Sequence, residues 1–201
     1  MRLQFQEAVD IGVGLQRLYS DNLPMRQVKK AKLLNTLFLC TGNSARSSMA
    51  ESILNQLGSD QFRAFSAGSH PKGHVHPLAL RLLQQLSYTT VGLRSKSWEE
   101  FTGTDAPELN LVITVCDHTA AEACPVWAGQ PTSSHWSIPD PAAVKGVEEN
   151  RIQDFVSAYE LLLAKITSLV QLPIGSLSKS ALELHLDHIA GIPTSAQGGK
   201  S

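Results

Sequence analysis

Residues 34–57 read LNTLFLCTGNSARSSMAESILNQL, and they carry the strongest structural signal of the chain. Leu34–Leu39 is a short apolar run, which favours a buried strand, and Ser48–Leu57 repeats its apolar residues at helical spacing. The loop between them therefore passes from a strand directly into a helix. In such a loop the backbone N–H groups converge at the positive end of the helix, which favours binding of a phosphate-like oxyanion.

The side chains of this loop add a nucleophile to the anion site. The helix N-terminus and the nearby guanidinium of Arg46 favour the thiolate of Cys40, which is the reactive form of cysteine. Arg46 can hold two anion oxygens in its planar fork, and Ser47 can donate a hydrogen bond to the sulfur. We predict that Cys40 attacks a tetrahedral oxyanion and forms a covalent thiol adduct, although a single cysteine after a strand is more commonly a small buried hydrophobe. The residues that we expect around the oxyanion are Thr41, Gly42, Asn43, Ser44, Ala45, Arg46 and Ser47.

Length and composition predict one globular domain without a general affinity for nucleic acid or membranes. The chain has 201 residues, of which 42% are hydrophobic and 17% charged, and this suffices for a real core. A formal net charge of -1 gives no overall attraction to polyanions, and no apolar run reaches the ~18 residues of a membrane span. The chain has three cysteines and no apolar signal core at its N-terminus, a pattern typical of thiol chemistry in a reducing cytoplasm.

Strand-like and helix-like segments alternate along the chain. The predicted strands are Leu34–Leu39, Phe62–Ser66, Leu109–Val115 and Ser133–Ser137. The predicted helices are Ser48–Leu57, Pro77–Leu86, Trp98–Phe101, Thr119–Ala123 and Val147–Val170, and Ser178 caps a final helix that runs to about Ile189. This alternation predicts an α/β fold: a single-domain parallel four-stranded sheet with helices on both faces, plus C-terminal helices. Because ligands bind at the carboxyl ends of such strands, Cys40 and Cys116, which follow the first and third strands, should meet at one edge.

Cys116 and Cys124 lie on either side of the segment that follows the third strand. They are either buried structural thiols, a redox pair or, with histidines nearby, soft ligands of a metal ion. Their spacing is not that of a zinc knuckle, and the histidines between residues 70 and 76 lie in a loop rich in proline and glycine. We therefore predict no metal site from this pattern.

Together these motifs resemble those of the low-molecular-weight protein tyrosine phosphatases and of the arsenate reductases that share their fold. The loop from Cys40 to Ser47 carries the resemblance most strongly, Phe65–Ser69 is similar to the family's second strand and turn, and Asp140-Pro141 is similar to its general-acid loop. The resemblance implies that Asp140 protonates the oxygen that leaves the oxyanion. It covers about residues 33–175, which we expect to be the catalytic domain.

The remaining segments flank this domain. Residues 1–32 form an N-terminal extension with an amphipathic stretch at Leu3–Leu18, which is either dispensable or a partner-binding arm. Residues 176–201 comprise the C-terminal helix and a flexible tail.

The two further cysteines resemble those of thioredoxin-coupled arsenate reductases, which implies a thiol relay that serves arsenic detoxification. Cys40 attacks arsenate, Cys116 attacks the sulfur of the adduct and expels arsenite, and Cys124 then moves the disulfide outward. The implied reductant is external, either thioredoxin or glutaredoxin with glutathione, and no cofactor is bound tightly. Ala142 and Ala143 stand where phosphatases of this fold often carry an aromatic residue, which favours a small inorganic oxyanion.

Two other functions stay open at the level of sequence. One is a low-molecular-weight protein tyrosine phosphatase that forms a phosphocysteine at Cys40, and residual phosphatase activity is also compatible with a reductase. The other is an arsenic- or thiol-sensing protein that keeps the anion site and turns over poorly. The Cys116/Cys124 pair separates the first alternative from a reductase, because a phosphatase needs neither thiol.

A further implication of the resemblance concerns the binding of a cation. In some reductases of this kind the positions of Asn43, Glu51 and Ser66 bind potassium. The resemblance therefore implies either a potassium ion at this place or a buried carboxylate that only hydrogen bonds of the loop hold.

Overall fold

The computed structural model of the chain describes residues 32–116, Thr119, 125–143 and 148–193. Its strands are β1 (Leu34–Cys40), β2 (Phe62–Gly68), β3 (Leu111–Thr114) and β4 (Thr132–His135). Its α-helices are α1 (Arg46–Leu57), α2 (Pro77–Gln85), α3 (Glu148–Val170) and α4 (Lys179–Ala190), with 3-10 helices at Trp98–Phe101 and Ile174–Ser176. The predicted helices Leu3–Leu18 and Thr119–Ala123 (except Thr119), most of the extension 1–32, Cys124 and the tail from residue 194 lie outside the described residues.

The four strands form one parallel sheet in the order β2-β1-β3-β4. Since β1 lies between β2 and β3, the loops that follow all three strands emerge at the same edge of the sheet. The predicted parallel four-stranded α/β fold is confirmed.

The ends of the elements near the first loop differ from the predicted ones. Strand β1 continues to Cys40, because Cys40 pairs in register with Gly68 and this pairing also extends β2 past the predicted end at Ser66. Helix α1 begins at Arg46, two residues before the predicted start, and the backbone N–H of Met49 donates to the carbonyl of Ala45 at 2.8 Å. The loop between the strand and the helix is therefore shorter than the sequence predicts.

Hydrophobic residues cover both faces of the sheet. On one face Phe38 and Ile113 pack in a cluster to which all four α-helices contribute. On the other face Leu37 and Leu39 pack with Phe101 of the first 3-10 helix and with residues of the flanking loops. Alternate residues of β1 therefore point to opposite faces, as expected of a strand buried on both sides.

Two helix starts that the sequence predicts have side-chain caps. Helix α2 begins with Pro77 after His76, whose ring nitrogen Nδ1 accepts a hydrogen bond from the N–H of Leu78. Burial, followed by the charges of Arg151 and Lys72, lowers the pKa of His76, which suits a neutral ring that accepts a hydrogen bond. Helix α4 begins after Ser178, whose hydroxyl accepts from the N–H of Ala181 at 3.2 Å.

A buried lysine ties the last helix to the core. Lys165 of α3 is 1% exposed, and its ammonium donates to the carbonyls of Ile189, Ala190 and Ile192 at 2.8–3.0 Å. These carbonyls lie at the C-terminal end of α4, where the helix leaves its last acceptors unpaired. Within the described ranges, no helix combines the length and the apolar character needed to cross a bilayer.

Candidate active site

Hydrogen bonds to its carbonyl groups fix the conformation of the loop between β1 and α1. The carbonyls of Thr41, Gly42 and Ser44 accept from the backbone N–H groups of His70, Lys72 and His76 at 2.7–3.0 Å. In a trans peptide the C=O and the following N–H point in opposite directions. The N–H groups of the loop are therefore left on the side away from residues 70–76, where an anion can accept from them.

The side chain of Asn43 stabilises this loop from within by hydrogen bonds. It is fully buried and has a φ of 40°, a left-handed conformation that asparagine tolerates better than most residues. Its Nδ2 donates to the hydroxyls of Ser47 and Ser66 at 2.9 Å each, and its Oδ1 accepts from the N–H of Lys96 at 2.8 Å. One side chain thus connects the loop to β2 and to the segment before the first 3-10 helix.

Ser47 is placed to donate to the Cys40 sulfur. The Ser47 oxygen lies 2.9 Å from Sγ of Cys40, which is 3% exposed. Because that oxygen already accepts from Nδ2 of Asn43, its own hydrogen is free to point at the sulfur. This contact holds the Ser47 hydroxyl beside the Cys40 sulfur.

Gly68 allows the loop to approach β2 closely. A Cβ atom at this position would lie 2.5 Å from the Thr41 carbonyl oxygen and 2.9 Å from that of Cys40, and both are backbone atoms. The sequence motif indicates only a turn at Gly68 and does not predict this close approach. The signal that could have found it is the parallel register, which puts Gly68 beside Cys40.

Arg46 and Asp140 meet at the mouth of the loop. Nη2 of Arg46 lies 2.9 Å from Oδ2 of Asp140, and Nη1 donates to the carbonyl of Ile138 at 3.1 Å. The Arg46 side chain is 12% exposed and that of Asp140 is 39% exposed. The other oxygen of Asp140 accepts from the N–H of Ala142 at 3.0 Å, so the 138–142 loop is fixed at both ends of this carboxylate.

Cys116 lies on the same side of the sheet edge, with hydroxyl groups around its sulfur. Sγ is 2.9 Å from the Thr119 hydroxyl and 3.5 Å from the Thr41 hydroxyl, and it accepts from the N–H of Thr119 at 3.4 Å. Burial raises the pKa of the Cys116 thiol, but the hydrogen bonds from Thr119 and then Thr41 outweigh burial and bring the pKa below its ordinary value. The contact of Thr119 with Cys116 has no signal in the sequence, because it depends on how the chain turns after Cys116.

Cys40, Arg46, Cys116 and Asp140 all line one cavity of about 640 Å³. It is lined by Cys40, Thr41, Gly42, Ser44, Ala45, Arg46, His70, Lys72, Cys116, Ile138, Pro139 and Asp140. Four of the five catalytic residues predicted from sequence, Cys40, Arg46, Cys116 and Asp140, thus share one space, and the fifth, Cys124, lies outside the described residues. Two basic residues at the cavity, His70 and Lys72, were not among the predicted site residues. In the described part of the chain no group of three or more histidine, cysteine or acidic side chains could hold a metal ion.

The fold and this site together define a class, that of parallel α/β proteins in which the first strand ends at a cysteine and a candidate oxyanion-binding loop follows it. The model of the family described as low molecular weight phosphotyrosine protein phosphatase matches residues 35–180, and the chain belongs to this family. The resemblance inferred from the motifs is confirmed.

Individual relatives are described as arsenate reductases. One from Bacillus cereus strain G9842 is 31% identical over 122 residues, which are 61% of this chain and 87% of the relative. The crystal structure of arsenate reductase from Archaeoglobus fulgidus aligns with a TM-score of 0.52 at 25% identity, over 68% of this chain and 99% of that one. A thioredoxin-dependent arsenate reductase of Corynebacterium glutamicum aligns with a TM-score of 0.50 at 18% identity, over 79% of this chain and 69% of that one, a likeness of fold alone.

Proposed function

We propose that this chain is an arsenate reductase that works by a thiol relay, with Cys40 as nucleophile and Cys116 and then Cys124 as resolving thiols. The observation that carries the proposal is the second cysteine of the cavity. Cys116 faces the same space as Cys40, and hydrogen bonds lower the pKa of its thiol. A phosphatase has no use for a second nucleophilic sulfur at this place, whereas a reductase requires one. The arsenate reductases among the relatives support the same reaction.

The proposed reaction balances in atoms and electrons. The Cys40 thiolate forms a bond to arsenic, and one protonated arsenate oxygen leaves as water. The Cys116 thiolate then attacks the Cys40 sulfur, so a disulfide forms and the electron pair of the sulfur–arsenic bond stays on arsenic. Arsenic(V) becomes arsenic(III) and departs as arsenite, while two thiols become one disulfide. Cys124 next attacks Cys116 and releases the Cys40 thiolate.

Asp140 is the proposed proton donor for the first step. Its carboxylate now pairs with Arg46, the residue whose fork would hold two arsenate oxygens. An arsenate ion bound to Arg46 would displace this carboxylate, which would remain within the same cavity and beside the oxygen that leaves. Proton transfer to that oxygen requires such proximity.

An external dithiol protein of the thioredoxin or glutaredoxin class completes the proposed cycle by reducing the Cys116–Cys124 disulfide. Because the Corynebacterium protein of similar fold is described as thioredoxin-dependent, thioredoxin is the first reductant to test.

The decisive experiment is arsenate-dependent NADPH oxidation with thioredoxin and thioredoxin reductase, run beside glutaredoxin, glutathione and glutathione reductase. We expect turnover with one of the two systems and a loss of at least ~100-fold in Cys40→Ser and in Cys116→Ser. The system that supports turnover identifies the reductant.

Hydrolysis of an aryl phosphate by the same variants separates reductase from phosphatase. Cys40→Ser should abolish it, whereas Cys116→Ser should keep it within about threefold, because only the nucleophile is needed to form a phosphocysteine. If arsenate supports no NADPH oxidation with either reductant while Cys40 still hydrolyses the ester, the chain is a phosphatase and the relay is wrong. Stable arsenical binding without either turnover would instead indicate a sensing protein.

A further inference from the structure

Lys96 places a buried ammonium group next to the carboxylate that ends the hydrogen-bond network of the loop. Its Nζ lies 3.5 Å from Oε2 of Glu51 and 3.4 Å from the carbonyl oxygen of Arg94. The side chains of Lys96 and Glu51 are 7% and 13% exposed. A charge pair this well buried is rarely incidental, because both ions lose hydration and only mutual attraction and further hydrogen bonds offset that cost.

The network runs from this pair to the nucleophilic sulfur. Glu51 accepts from the hydroxyl of Ser66, and the Ser66 oxygen accepts from Nδ2 of Asn43. The same Nδ2 donates to Ser47, whose hydroxyl lies 2.9 Å from Sγ of Cys40. Each hydroxyl in the network can therefore accept from Asn43 and donate onward.

The direction of these hydrogen bonds depends on the charge of Glu51. An ionised carboxylate can only accept, so it forces the Ser66 hydroxyl to donate to it and leaves the Ser66 oxygen to accept from Asn43. Burial raises the pKa of Glu51, and the charge of Lys96 opposes that rise. The Lys96 ammonium, 3.5 Å from Oε2 of Glu51, supplies the positive charge that faces this acceptor.

Lys96 also acts on Asn43 through its backbone. Its N–H donates to Oδ1 of Asn43 at 2.8 Å, which fixes which end of that amide faces the two serines. Its carbonyl accepts from the N–H of Gly68 at 2.9 Å, so the residue is anchored to the end of β2. The ammonium and the backbone of one residue thus hold both ends of the same network.

We propose that the Lys96 ammonium is a built-in cation of the oxyanion loop, which takes the place of a potassium ion near Asn43, Glu51 and Ser66 and positions the loop without catalysing any step itself. A potassium ion at Glu51 would lie beside an ammonium group that already neutralises that carboxylate, and two cations at one carboxylate repel each other. The proposal concerns anion binding by the loop and therefore does not depend on whether arsenate or a phosphate ester is the substrate.

The test measures binding of inorganic phosphate by calorimetry in potassium buffer and in tetramethylammonium buffer, whose cation is too bulky for the site. Phosphate affinity of the unmodified protein should agree within about twofold in the two buffers. In Lys96→Ala the affinity should fall at least ~10-fold in tetramethylammonium, and added potassium or propylammonium should restore a substantial part of it. Propylammonium matches the part of the side chain that this variant lacks. A merely structural role for Lys96 predicts no such rescue by cations.

Lys32 provides a matched control. It also pairs with a glutamate, Glu108, at 3.3 Å, but the two side chains are 79% and 61% exposed. Lys32→Ala should bind phosphate like the unmodified protein in every buffer. The proposal is wrong if potassium strengthens phosphate binding severalfold in the unmodified protein, or if Lys96→Ala binds phosphate equally well in all buffers.

A second variant keeps the test decisive if Lys96→Ala does not fold. Lys96→Met combined with Glu51→Gln removes both charges at nearly constant volume, which buried sites often tolerate. Its phosphate binding should be weaker than that of the unmodified protein and indifferent to potassium. Binding as tight as in the unmodified protein would show that the charge pair does not position the loop.

Discussion

Thr119 acts on Cys116 through both its hydroxyl and its backbone N–H. Hydrogen bonds of this kind stabilise the thiolate more than the thiol, and together with Thr41 they overcome the effect of burial on the pKa. In the proposed relay, the sulfur that attacks the Cys40–arsenic adduct is thus stabilised as a thiolate by two threonines from different segments of the chain.

Removing the Thr119 hydroxyl should make Cys116 harder to ionise. In Thr119→Val the backbone N–H remains but the strongest side-chain donor is lost, so the pKa of Cys116 should rise toward or above its ordinary value. The pH dependence of Cys116 alkylation by iodoacetamide, measured in Cys40→Ser protein, should shift to higher pH. Thr104→Val, at an exposed position, serves as control. Identical alkylation profiles in the two proteins would exclude a role for the hydroxyl.

Gly68 is required where two backbone segments nearly touch. Gly68→Ala would bring its Cβ to within 2.5 Å of the Thr41 carbonyl oxygen, and neither strand nor loop can yield without moving Cys40. We expect a loss of ~1–3 kcal/mol in the free energy of unfolding and about tenfold weaker binding of inorganic phosphate. Gly103→Ala, which meets no atom within 4 Å, should change neither quantity. Urea unfolding and calorimetry provide the two measurements, and unchanged phosphate affinity in Gly68→Ala would contradict the argument.

At the scale of elements, Lys165 joins α3 to the end of α4. The ammonium of Lys165 donates hydrogen bonds to three carbonyl groups. Burial nevertheless disfavours its positive charge and lowers the pKa of Lys165 from 10.5 to about 8. Between these two values the unfolded chain binds more protons than the folded one. The stability contributed at this residue therefore rises as the pH rises through that window and is lost as the pH falls through it.

Lys165→Met should remove this pH dependence. The difference in free energy of unfolding between the unmodified protein and the variant should grow in favour of the unmodified protein from about pH 8 to about pH 10. Urea unfolding across that range measures it. Lys179→Met, at an exposed lysine on α4, should run parallel to the unmodified protein. A constant difference for Lys165→Met as well would mean that Lys165 keeps its ordinary titration.

Local sequence patterns predict most of the elements because each depends on neighbours in the chain. The apolar run before Cys40 indicates strand β1. Pro77 after a capping residue indicates the start of α2, and Ser178 indicates the start of α4. The start of α1 at Arg46 was missed, since residues of the anion loop carry no helical periodicity of their own.

In the molecule as a whole, the parallel topology brings together residues that are far apart in the sequence. The ends of β1 and β3 meet at one edge, so the sequence is enough to predict that Cys40 and Cys116 approach each other. It does not predict the Lys96–Glu51 contact, which spans 45 residues and has no local signal. Contacts of this kind depend on how the loops pack against the sheet and against one another.

The contact between Arg46 and Asp140 has a consequence for selectivity. An anion that binds Arg46 as proposed must displace the Asp140 carboxylate, which therefore competes for the same guanidinium. Apparent affinity is reduced by the fraction of molecules in which this carboxylate occupies the fork.

Asp140→Asn should therefore separate affinity from turnover. Phosphate should bind about 3- to 10-fold more tightly, because a neutral amide competes less for the guanidinium, whereas arsenate turnover should fall ~10- to 100-fold for lack of a proton donor. Calorimetry and NADPH oxidation measure the two effects, with Asp105→Asn as an exposed control. Weaker phosphate binding in Asp140→Asn would refute the competition. In the unmodified protein, we expect a multiply charged tetrahedral ion to replace the Asp140 carboxylate at Arg46 more readily than a singly charged ion such as chloride, so that the site selects anions by charge rather than by size.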